Sequence, residues 1–548
     1  MLNFTAFLLS LFISIALIPI LTRLAARFHM VDLPNPRKVH AGPIPRIGGA
    51  AIGIAAFIPI IFGTTADNFI IAYLLGAGIL VIFGIVDDMR GLGYKAKFLG
   101  QFLAALVIVF YGGVRIVSLG GLLPEDAILT DWFATALTLV LLVGVINAIN
   151  LADGLDGLAG GITLLSFCCI GYLAYLLGDK VILLISLAMG GAIFGFLRFN
   201  TYPATLFMGD TGSQLLGFSA GVLAIKITQS GNPLSPVLPL IILGFPILDT
   251  LTVMAERIRD GRSPFSADKN HFHHRLMRFG LFHTEAVLVI YIIQALLIAS
   301  AILFKYHSDW TLLIGYIVFA ALIVAAFAIG DKTSFQLKRA HVIDHLIKKK
   351  LRFIKDERWI IKLSFAITRF LIPQLFVFAA FLPAGIPRYF SPIVLGLILL
   401  IALVWIFRRE YMNWLLRGSI YFIIPVILYL AEQKTAVWIN KNMEFLFIGL
   451  LIIGVFFVIL TVKYSQRKKG FQATPMDFLI LFIAVALPNL PDQLIRSHDM
   501  GRLAVGIIVF FFSYEVLITE LRGKFNAALT VFTLEALILI GARGIIGL

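Results

Sequence analysis

Apolar runs of about 20 residues recur along this chain, and they leave few ways to fold it. A run of this length crosses a bilayer as a helix, because a helix satisfies its own backbone hydrogen bonds where water is absent. Hydrophobic residues make up 60% of the 548 residues and charged residues only 14%, which excludes an ordinary soluble protein. The sequence therefore predicts an all-α, polytopic membrane protein.

The apolar runs predict about eleven transmembrane helices in an N-terminal block and roughly seven in a C-terminal block. A basic run, HLIKKKLRFIKDERWIIK, separates the two blocks. We therefore predict a membrane domain over residues 1–330, a basic cytoplasmic linker over 331–360 and a membrane domain of unknown function over 361–548. The N-terminal spans are predicted at approximately 2–22, 47–64, 68–86, 98–113, 132–149, 158–177, 181–197, 213–229, 237–255, 285–304 and 311–330.

Basic residues crowd alternate loops, and the loops between them carry few. Positively charged loops remain in the cytoplasm, so we expect an outward N-terminus and polar motifs on the cytoplasmic face of the membrane. The formal net charge of +15 could suggest a nucleic-acid partner. Because these charges lie in short loops rather than on a soluble domain, they indicate topology and phosphate contact, with no nucleic acid.

The stretch Asn147–Gly161, NAINLADGLDGLAGG, places carboxylates and carboxamides between apolar runs. Acidic residues at membrane depth cost about 2.5–3.5 kcal/mol on insertion scales, so such a stretch predicts a functional site. Oxygen-bearing side chains suit Mg²⁺, and they also suit sugar hydroxyls and amides. Four polar side chains recur at intervals of three, so one helical face can carry them if the helix continues, but Gly154 and Gly157 predict that it is interrupted: Asn147, Asn150, Asp153 and Asp156.

Further acids end or begin neighbouring apolar runs. Asp87 and Asp88 are adjacent in GIVDDMRG, and side chains of helical neighbours point about 100° apart. One carboxylate could face a metal or nucleophile while the other orients a basic residue, and a solvated helix end is the alternative. Asn200 and Asp210 share the next loop, where Asp210 precedes an apolar run and could cap that helix, bind metal, or do both.

Two basic motifs complete the polar set. Lys38 and His40 in PRKVHAGPIPRIGG could bind phosphate, or could serve only membrane orientation. In HFHHRL a histidine cluster suggests zinc, but no cysteine or acid supplies the remaining ligands at familiar spacing. A pyrophosphate clamp is the favoured interpretation, with interfacial packing as the alternative. That motif contains His271, His273, His274 and Arg275.

Taken together and in order, PRKVHAGPIPRIGG, GIVDDMRG, NAINLADGLDGLAGG, FMGDTGS and HFHHRL resemble the cytoplasmic motifs of the polyprenyl-phosphate N-acetylhexosamine-1-phosphate transferase family. The resemblance covers about residues 1–330. HFHHRL is more similar to the undecaprenyl-phosphate GlcNAc-1-phosphate transferase branch than to the phospho-N-acetylmuramoyl-pentapeptide transferase branch. The C-terminal block lies outside the resemblance.

The resemblance implies transfer of N-acetylhexosamine 1-phosphate, GlcNAc-1-phosphate above all, from a UDP-sugar to undecaprenyl phosphate with release of UMP. This reaction would initiate a cell-envelope polysaccharide such as lipopolysaccharide or exopolysaccharide, and downstream assembly proteins would be partners. Mg²⁺ is the implied cofactor, with Mn²⁺ as a substitute. A lipid-linked sugar transporter or polymer exporter is the alternative, because about eighteen spans and intramembrane acids also fit transport.

The resemblance also implies individual roles. Asp87 or Asp88 would prepare the lipid phosphate for attack, and Asn150 and Asp210 would hold the metal. One departure is that a third acid often follows the pair in this branch, whereas here the positions hold Arg90 and Gly91. The implied substrate-binding residues are Lys38, His40, Asp153, Asp156, Asn200, His271, His273, His274 and Arg275.

Overall fold

The computed structural model is helical, as the sequence predicts. It describes residues 2–25, 27–28, 30–32, 42–124, 127–263, 270–333, 336, 358–407, 409–433, 439–464, 506–507, 509–511, 513–514, 516–517 and 527–546. Within these residues, strands are limited to β1 (Val31–Asp32) and β2 (Ile44–Pro45), which pair antiparallel. The same residues contain nine helices long and apolar enough to cross a membrane, so the all-α membrane fold is confirmed.

The chain divides into two compact units with a boundary near residue 338. The predicted linker falls largely outside the described residues, and the predicted domain limits stay a prediction. The helices of the first unit are α1 (Leu2–Ala25), α2 (Gly48–Gly63), α3 (Asn68–Arg90), α4 (Tyr94–Leu106), α5 (Asp131–Ala152), α6 (Leu158–Leu177), α7 (Lys180–Asn200), α8 (Gly209–Thr228), α9 (Leu238–Ile242), α10 (Gly244–Arg259), α11 (Phe272–Arg278), α12 (His283–Leu303) and α13 (Asp309–Lys332).

Local sequence signals set several of these helix ends. Asp67 precedes α3, and its side chain accepts the backbone N–H of Ile70 at 2.7 Å. Asp179 caps α7 in the same way, accepting the backbone N–H of Ile182 at 2.9 Å. A side chain that accepts these otherwise unpaired N–H groups stabilises a helix by about 1 kcal/mol. A capping residue that follows an apolar run therefore marks the turn at which the next helix begins.

Helix α8 lies at the centre of the first unit and packs against α3 and α5, while α6 packs on α7. The apolar stretches of α6 and α7 are 72% buried, whereas that of α13 is 11% buried. Central helices can carry polar groups because neighbouring helices, rather than lipid, surround them. The packing of α8 between α3 and α5 brings the polar ends of all three helices together at one end of the unit.

Three helices extend beyond the apolar runs that predicted them. The predicted spans end at residue 86 for α3 and 149 for α5 and begin at 213 for α8, whereas the helices reach Arg90, Ala152 and Gly209. The hydropathy of the sequence falls at the first polar side chain of each motif. The backbone nevertheless remains helical, because the polar side chains at these three helix ends face one another. The acids of these motifs therefore lie on rigid helix ends.

The predicted span 237–255 is broken into α9 and α10. Pro246 has no N–H, so the carbonyl of Ile242 lacks the donor that would continue the helix. Gln294 Nε2 donates to that carbonyl at 2.7 Å, and Ser166 Oγ donates to it at 2.9 Å. The backbone N–H of Phe245 donates to Gln294 Oε1 at 3.4 Å. A broken helix is tolerated inside the bundle because side chains pair with the freed backbone groups.

The second unit packs around its own apolar core, to which Phe376 and Ile424 belong. Arg543 donates to the carbonyls of Ala380 (2.9 Å) and Pro383 (2.6 Å) and thereby joins its last helix to the end of its first. Its described helices are α14 (Arg358–Ala379), α15 (Ser391–Phe407), α16 (Met412–Gln433), α17 (Lys441–Tyr464) and α18 (Ala527–Ile546).

Gln294→Leu should destabilise the first unit by about 1–3 kcal/mol, because it leaves the N–H of Phe245 unpaired inside the bundle. The free energy of unfolding, measured in mixed detergent micelles, checks this expectation. Gln374→Leu is the matched control, since the same change is made there at an exposed position of α14. Equal stability of the two variants would show that Gln294 does not support the helix break.

Candidate functional site

The two adjacent acids at the end of α3 have different partners. Asp88 pairs with the first residues of α8. Asp88 accepts the backbone N–H of Asp210 at 3.0 Å, the backbone N–H of Thr211 at 3.2 Å and the Thr211 hydroxyl at 2.6 Å. Gly209 begins α8 at φ +72°, and a Cβ at Gly209 would meet the Asp88 carboxylate at about 2.5 Å. A carboxylate at a helix N-terminus pairs with free N–H groups and favours the helix dipole. Asp88 thus fixes the start of α8.

Asp87 points instead toward Lys97 on α4. Lys97 Nζ lies 2.6 Å from Asp87 Oδ2 and 2.7 Å from Asp210 Oδ2. The second oxygen of Asp87 accepts the backbone N–H of Leu92 at 2.6 Å. One ammonium therefore holds together two carboxylates that would otherwise repel each other. Asp87, Lys97 and Asp210 form what we call the carboxylate–lysine cluster.

Asn150, near the end of α5, supports the same acid. Its Nδ2 donates to Asp210 Oδ1 at 2.6 Å and to Ser213 Oγ at 2.7 Å. Asn147 lies one turn earlier and donates to Gln101 Oε1 at 2.7 Å, on α4. The two asparagines therefore have different partners, and only Asn150 reaches the carboxylate–lysine cluster.

Asp153 and Asp156 lie in the turn after α5, where the helix ends as the two glycines of the motif predict. Asp156 Oδ2 accepts the backbone N–H of Ala204 at 2.9 Å. Asn200 Oδ1 accepts the backbone N–H of Gly157 at 2.9 Å, and its Nδ2 donates to the carbonyl of Leu206 at 2.8 Å. Asp156 and Asn200 thus fasten the segment 201–208, which leads into α8.

Asp153 is half-buried beside the other acids of the site. Burial, together with a smaller contribution from the nearby carboxylates of Asp210 and Asp156, raises its pKa to about 7. Asp153 therefore holds its proton more strongly than an exposed aspartate does. A cation near these acids would favour its ionised form.

The histidine motif packs against the turn after α5. A Cβ at Gly154 would overlap the ring of His273, so only glycine allows this close approach. His271 Nδ1 lies 2.8 Å from Asp249 Oδ2, and Asp249 Oδ1 accepts the backbone N–H of Phe272 at 2.7 Å. Asp249 on α10 therefore orients His271.

His273 is neutral at physiological pH. Burial, together with a smaller contribution from the neighbouring His274, lowers its pKa to about 3. The ring centroids of these two histidines lie 4.2 Å apart. A neutral imidazole can donate and accept hydrogen bonds but brings no charge to a phosphate.

Arg275 is 6% exposed at its side chain and pairs with two acids. Its Nη2 contacts Glu256 Oε1, on α10, and its Nη1 lies 3.4 Å from Asp331 Oδ2, at the end of α13. The guanidinium therefore joins α10, α11 and α13. Both contacts are to protein carboxylates.

The structure brings most of the predicted site residues to one end of the first unit, with Asp87, Asn150 and Asp210 closest together. Lys38 and His40 lie outside the described residues, so their predicted role stays a prediction. Sequence reasoning did not assign Lys97, Ser213, Glu256 or Asp331 to the site. Lys97 carried a usable signal, because it is a cation at the start of an apolar run and follows an acid pair.

The oxygen donors of the carboxylate–lysine cluster fit a magnesium ion. Among the described residues there is no group of three or more histidines, cysteines and acids arranged to hold a metal. Mg²⁺ does not need such a group, since it is often bound by one or two carboxylates together with water and substrate phosphates. Asp87 and Asp210, which converge on one nitrogen, supply two carboxylates of that kind.

Comparison with known proteins agrees with the family resemblance of the sequence motifs. Residues 70–228 match the family model described as glycosyl transferase family 4. The chain is 40% identical over 325 residues to the probable undecaprenyl-phosphate N-acetylglucosaminyl 1-phosphate transferase of Bacillus subtilis (strain 168), covering 58% of this chain and 88% of the relative.

Two further relatives carry similar names. The undecaprenyl-phosphate alpha-N-acetylglucosaminyl 1-phosphate transferase of Escherichia coli (strain K12) is 33% identical over 347 residues, covering 61% of this chain and 91% of the relative. The decaprenyl-phosphate N-acetylglucosaminephosphotransferase of Mycolicibacterium smegmatis is 37% identical over 336 residues, covering 55% and 82%.

Asp153→Asn should become more stable relative to wild type as the pH rises from 5 to 8 in EDTA. An acid whose folded pKa is raised binds a proton in the folded state, so its contribution to stability is lost as the pH rises toward about 7. The gap in the free energy of unfolding between the variant and the wild type should widen by about 2 kcal/mol in favour of the variant over this pH range. The measurement is the free energy of unfolding of both proteins at each pH. Asp131→Asn at the other end of α5, where the side chain is 92% exposed, is the matched control. A gap of constant size would contradict the burial of Asp153.

Proposed function

The chain belongs to glycosyl transferase family 4, among the polyprenyl-phosphate N-acetylglucosamine-1-phosphate transferases, and we propose that it transfers GlcNAc-1-phosphate from UDP-GlcNAc to undecaprenyl phosphate. UMP is the second product, and the lipid diphosphate begins a cell-envelope polysaccharide. The observation that carries the proposal is the carboxylate–lysine cluster, which gathers Asp87, Lys97 and Asp210 from three helix ends.

The protein is an integral membrane protein, and we place its site on the cytoplasmic face of the inner membrane, with the N-terminus outside. The charge distribution supports this orientation. Arg90 and Arg257 lie on the same end of the first unit as the cluster, together with Lys95 and Lys97. Positive residues near helix ends mark the cytoplasmic side. A site on that side is accessible both to a soluble nucleotide sugar and to the phosphate of a membrane lipid.

The main physical difficulty of the reaction is charge. A lipid phosphate must approach a diphosphate, and both are anions at neutral pH. Lys97 is 29% exposed at the cluster and can reach a phosphate, whereas the buried His273 is neutral and Arg275, which is also paired with two acids, is only 6% exposed. We infer that Lys97 meets phosphate charge and that the histidines position the donor through hydrogen bonds. When bound by Asp87 and Asp210, Mg²⁺ would supply further positive charge to the diphosphate.

Direct displacement is the mechanism that we propose. An oxygen of the lipid phosphate forms a bond to the phosphorus that carries the sugar, and the bond from that phosphorus to the UMP oxygen breaks. The lipid phosphate is already ionised near pH 7, so it needs orientation more than a strong base. The contacts of Asp88 support this route, because both of its oxygens accept hydrogen bonds from α8. A two-step route through an aspartyl phosphate would instead retain configuration at phosphorus.

Asp210→Asn should lower UMP release from UDP-GlcNAc, undecaprenyl phosphate and Mg²⁺ by about 100-fold or more, and EDTA should abolish release by the wild type. The measurement is UMP formation by purified protein in detergent. Asp309→Asn, an equal change at the far end of the unit, is the control. Undiminished UMP release by Asp210→Asn together with failed lipid translocation would favour a transporter instead.

Lys97→Met should have two opposite effects. Divalent cation binding should tighten about tenfold, because the ammonium no longer competes for Asp87 and Asp210. Turnover should fall, because the charge that meets phosphate is lost. Mn²⁺ binding followed by paramagnetic resonance and UMP release check the two expectations. Lys95→Met changes an exposed lysine two residues earlier and should alter neither. Unchanged Mn²⁺ affinity in Lys97→Met would contradict competition at the cluster.

A further inference from the structure

The histidine segment, residues 271–279, is attached along one side to the end of α13. The ring of Phe327 stacks on Phe272 at a centroid distance of 4.4 Å and an interplanar angle of 12°. It also contacts Phe279, with centroids 5.9 Å apart. A Cβ at Gly330 would lie about 2.7 Å from Phe279, so α13 approaches the segment closely there. One aromatic side chain of α13 thus holds both ends of the segment.

An ion pair completes the attachment. Arg275 is in the middle of the segment, and its buried guanidinium lies 3.4 Å from Asp331 and contacts Glu256. A buried cation is costly unless it is paired, so these carboxylates determine where Arg275 can lie. Glu256 is 18% exposed and Asp331 is 36% exposed. Asp331 is therefore the partner that can be changed while Arg275 keeps a second carboxylate.

The opposite side of the segment faces the candidate site. His273 packs against Gly154, and His271 contacts Asp249. The segment is short, because α11 spans only Phe272–Arg278. A shift of the segment relative to α13 would therefore move the His273 ring relative to the turn that contains Asp153 and Asp156.

We propose that Asp331 is a positioning residue. Acting through Arg275, and together with Phe327, it sets the position of the histidine segment and thereby the affinity of the site for the nucleoside diphosphate sugar. This inference rests on the proposed function for the identity of the ligand. Asp331 acts through Arg275 and contacts no substrate itself. Asp331 pairs with Arg275 rather than with the carboxylate–lysine cluster, so we expect binding of the lipid phosphate not to depend on it.

Asp331→Asn in the full chain tests the proposal. The KM for UDP-GlcNAc should rise about fivefold, equivalent to about 1 kcal/mol, while kcat and the KM for undecaprenyl phosphate stay within about twofold. Asp331→Glu should restore the wild-type KM, since it retains the carboxylate. Asp309→Asn makes the same change at the first residue of α13 and should leave the KM for UDP-GlcNAc unchanged.

Hydrogen exchange supplies a readout that is independent of turnover. Amides of residues 274–279 should exchange faster in Asp331→Asn than in wild type or Asp309→Asn, while amides of α6 keep their rates. Unchanged exchange in 274–279 together with an unchanged KM for UDP-GlcNAc would overturn the proposal. If the wild type releases no UMP from any UDP-N-acetylhexosamine, the proposed function is wrong. The exchange rates alone then test whether Asp331 attaches the histidine segment to α13.

Discussion

The Asp88 carboxylate at the start of α8 is the interaction on which the site depends. It is 8% exposed, and such a buried anion is stable only because three donors of Asp210 and Thr211 surround it. The same bonds determine where Asp210 lies, since they hold its own backbone. From that position Asp210 meets Lys97 and Asn150, which come from two other helices. One interhelical cap therefore arranges a site built from four helix ends.

Polar groups elsewhere in the first unit follow the same constraint. Where α9 and α10 break, Gln294 and Ser166 pair with the freed carbonyl, and Tyr316 donates to the carbonyl of Gly244 at 2.9 Å. In lipid an unpaired backbone group costs several kcal/mol, so such a break can exist only beside polar side chains. These residues lie inside apolar helices and have no role at the cluster. The polar residues at this helix break thus serve backbone pairing rather than chemistry.

The sequence allowed prediction of the all-α membrane fold and of the end of the bundle where the polar motifs meet. Those features follow from local hydropathy and helical geometry. The meeting of Lys97 with Asp210 could not be predicted, because these residues are separated by 113 positions and meet only through packing of α4 and α8 with α3 and α5. The predicted spans of α3, α5 and α8 stopped short of the polar ends of these helices for a related reason. Apolar periodicity ends where side chains begin to pair with one another, although the backbone remains helical.

The salt bridges of Lys97 also bear on biogenesis. A nascent membrane protein must insert and pack its helices before it can gather a divalent ion, and two facing carboxylates without a counterion would oppose that packing. Lys97 travels in the same polypeptide and lies within 2.7 Å of both acids. The helix ends that carry Asp87 and Asp210 can therefore pack together with a counterion that the chain itself provides. Folding of this part of the bundle thus needs no ion taken up from solution to offset the repulsion between the two acids.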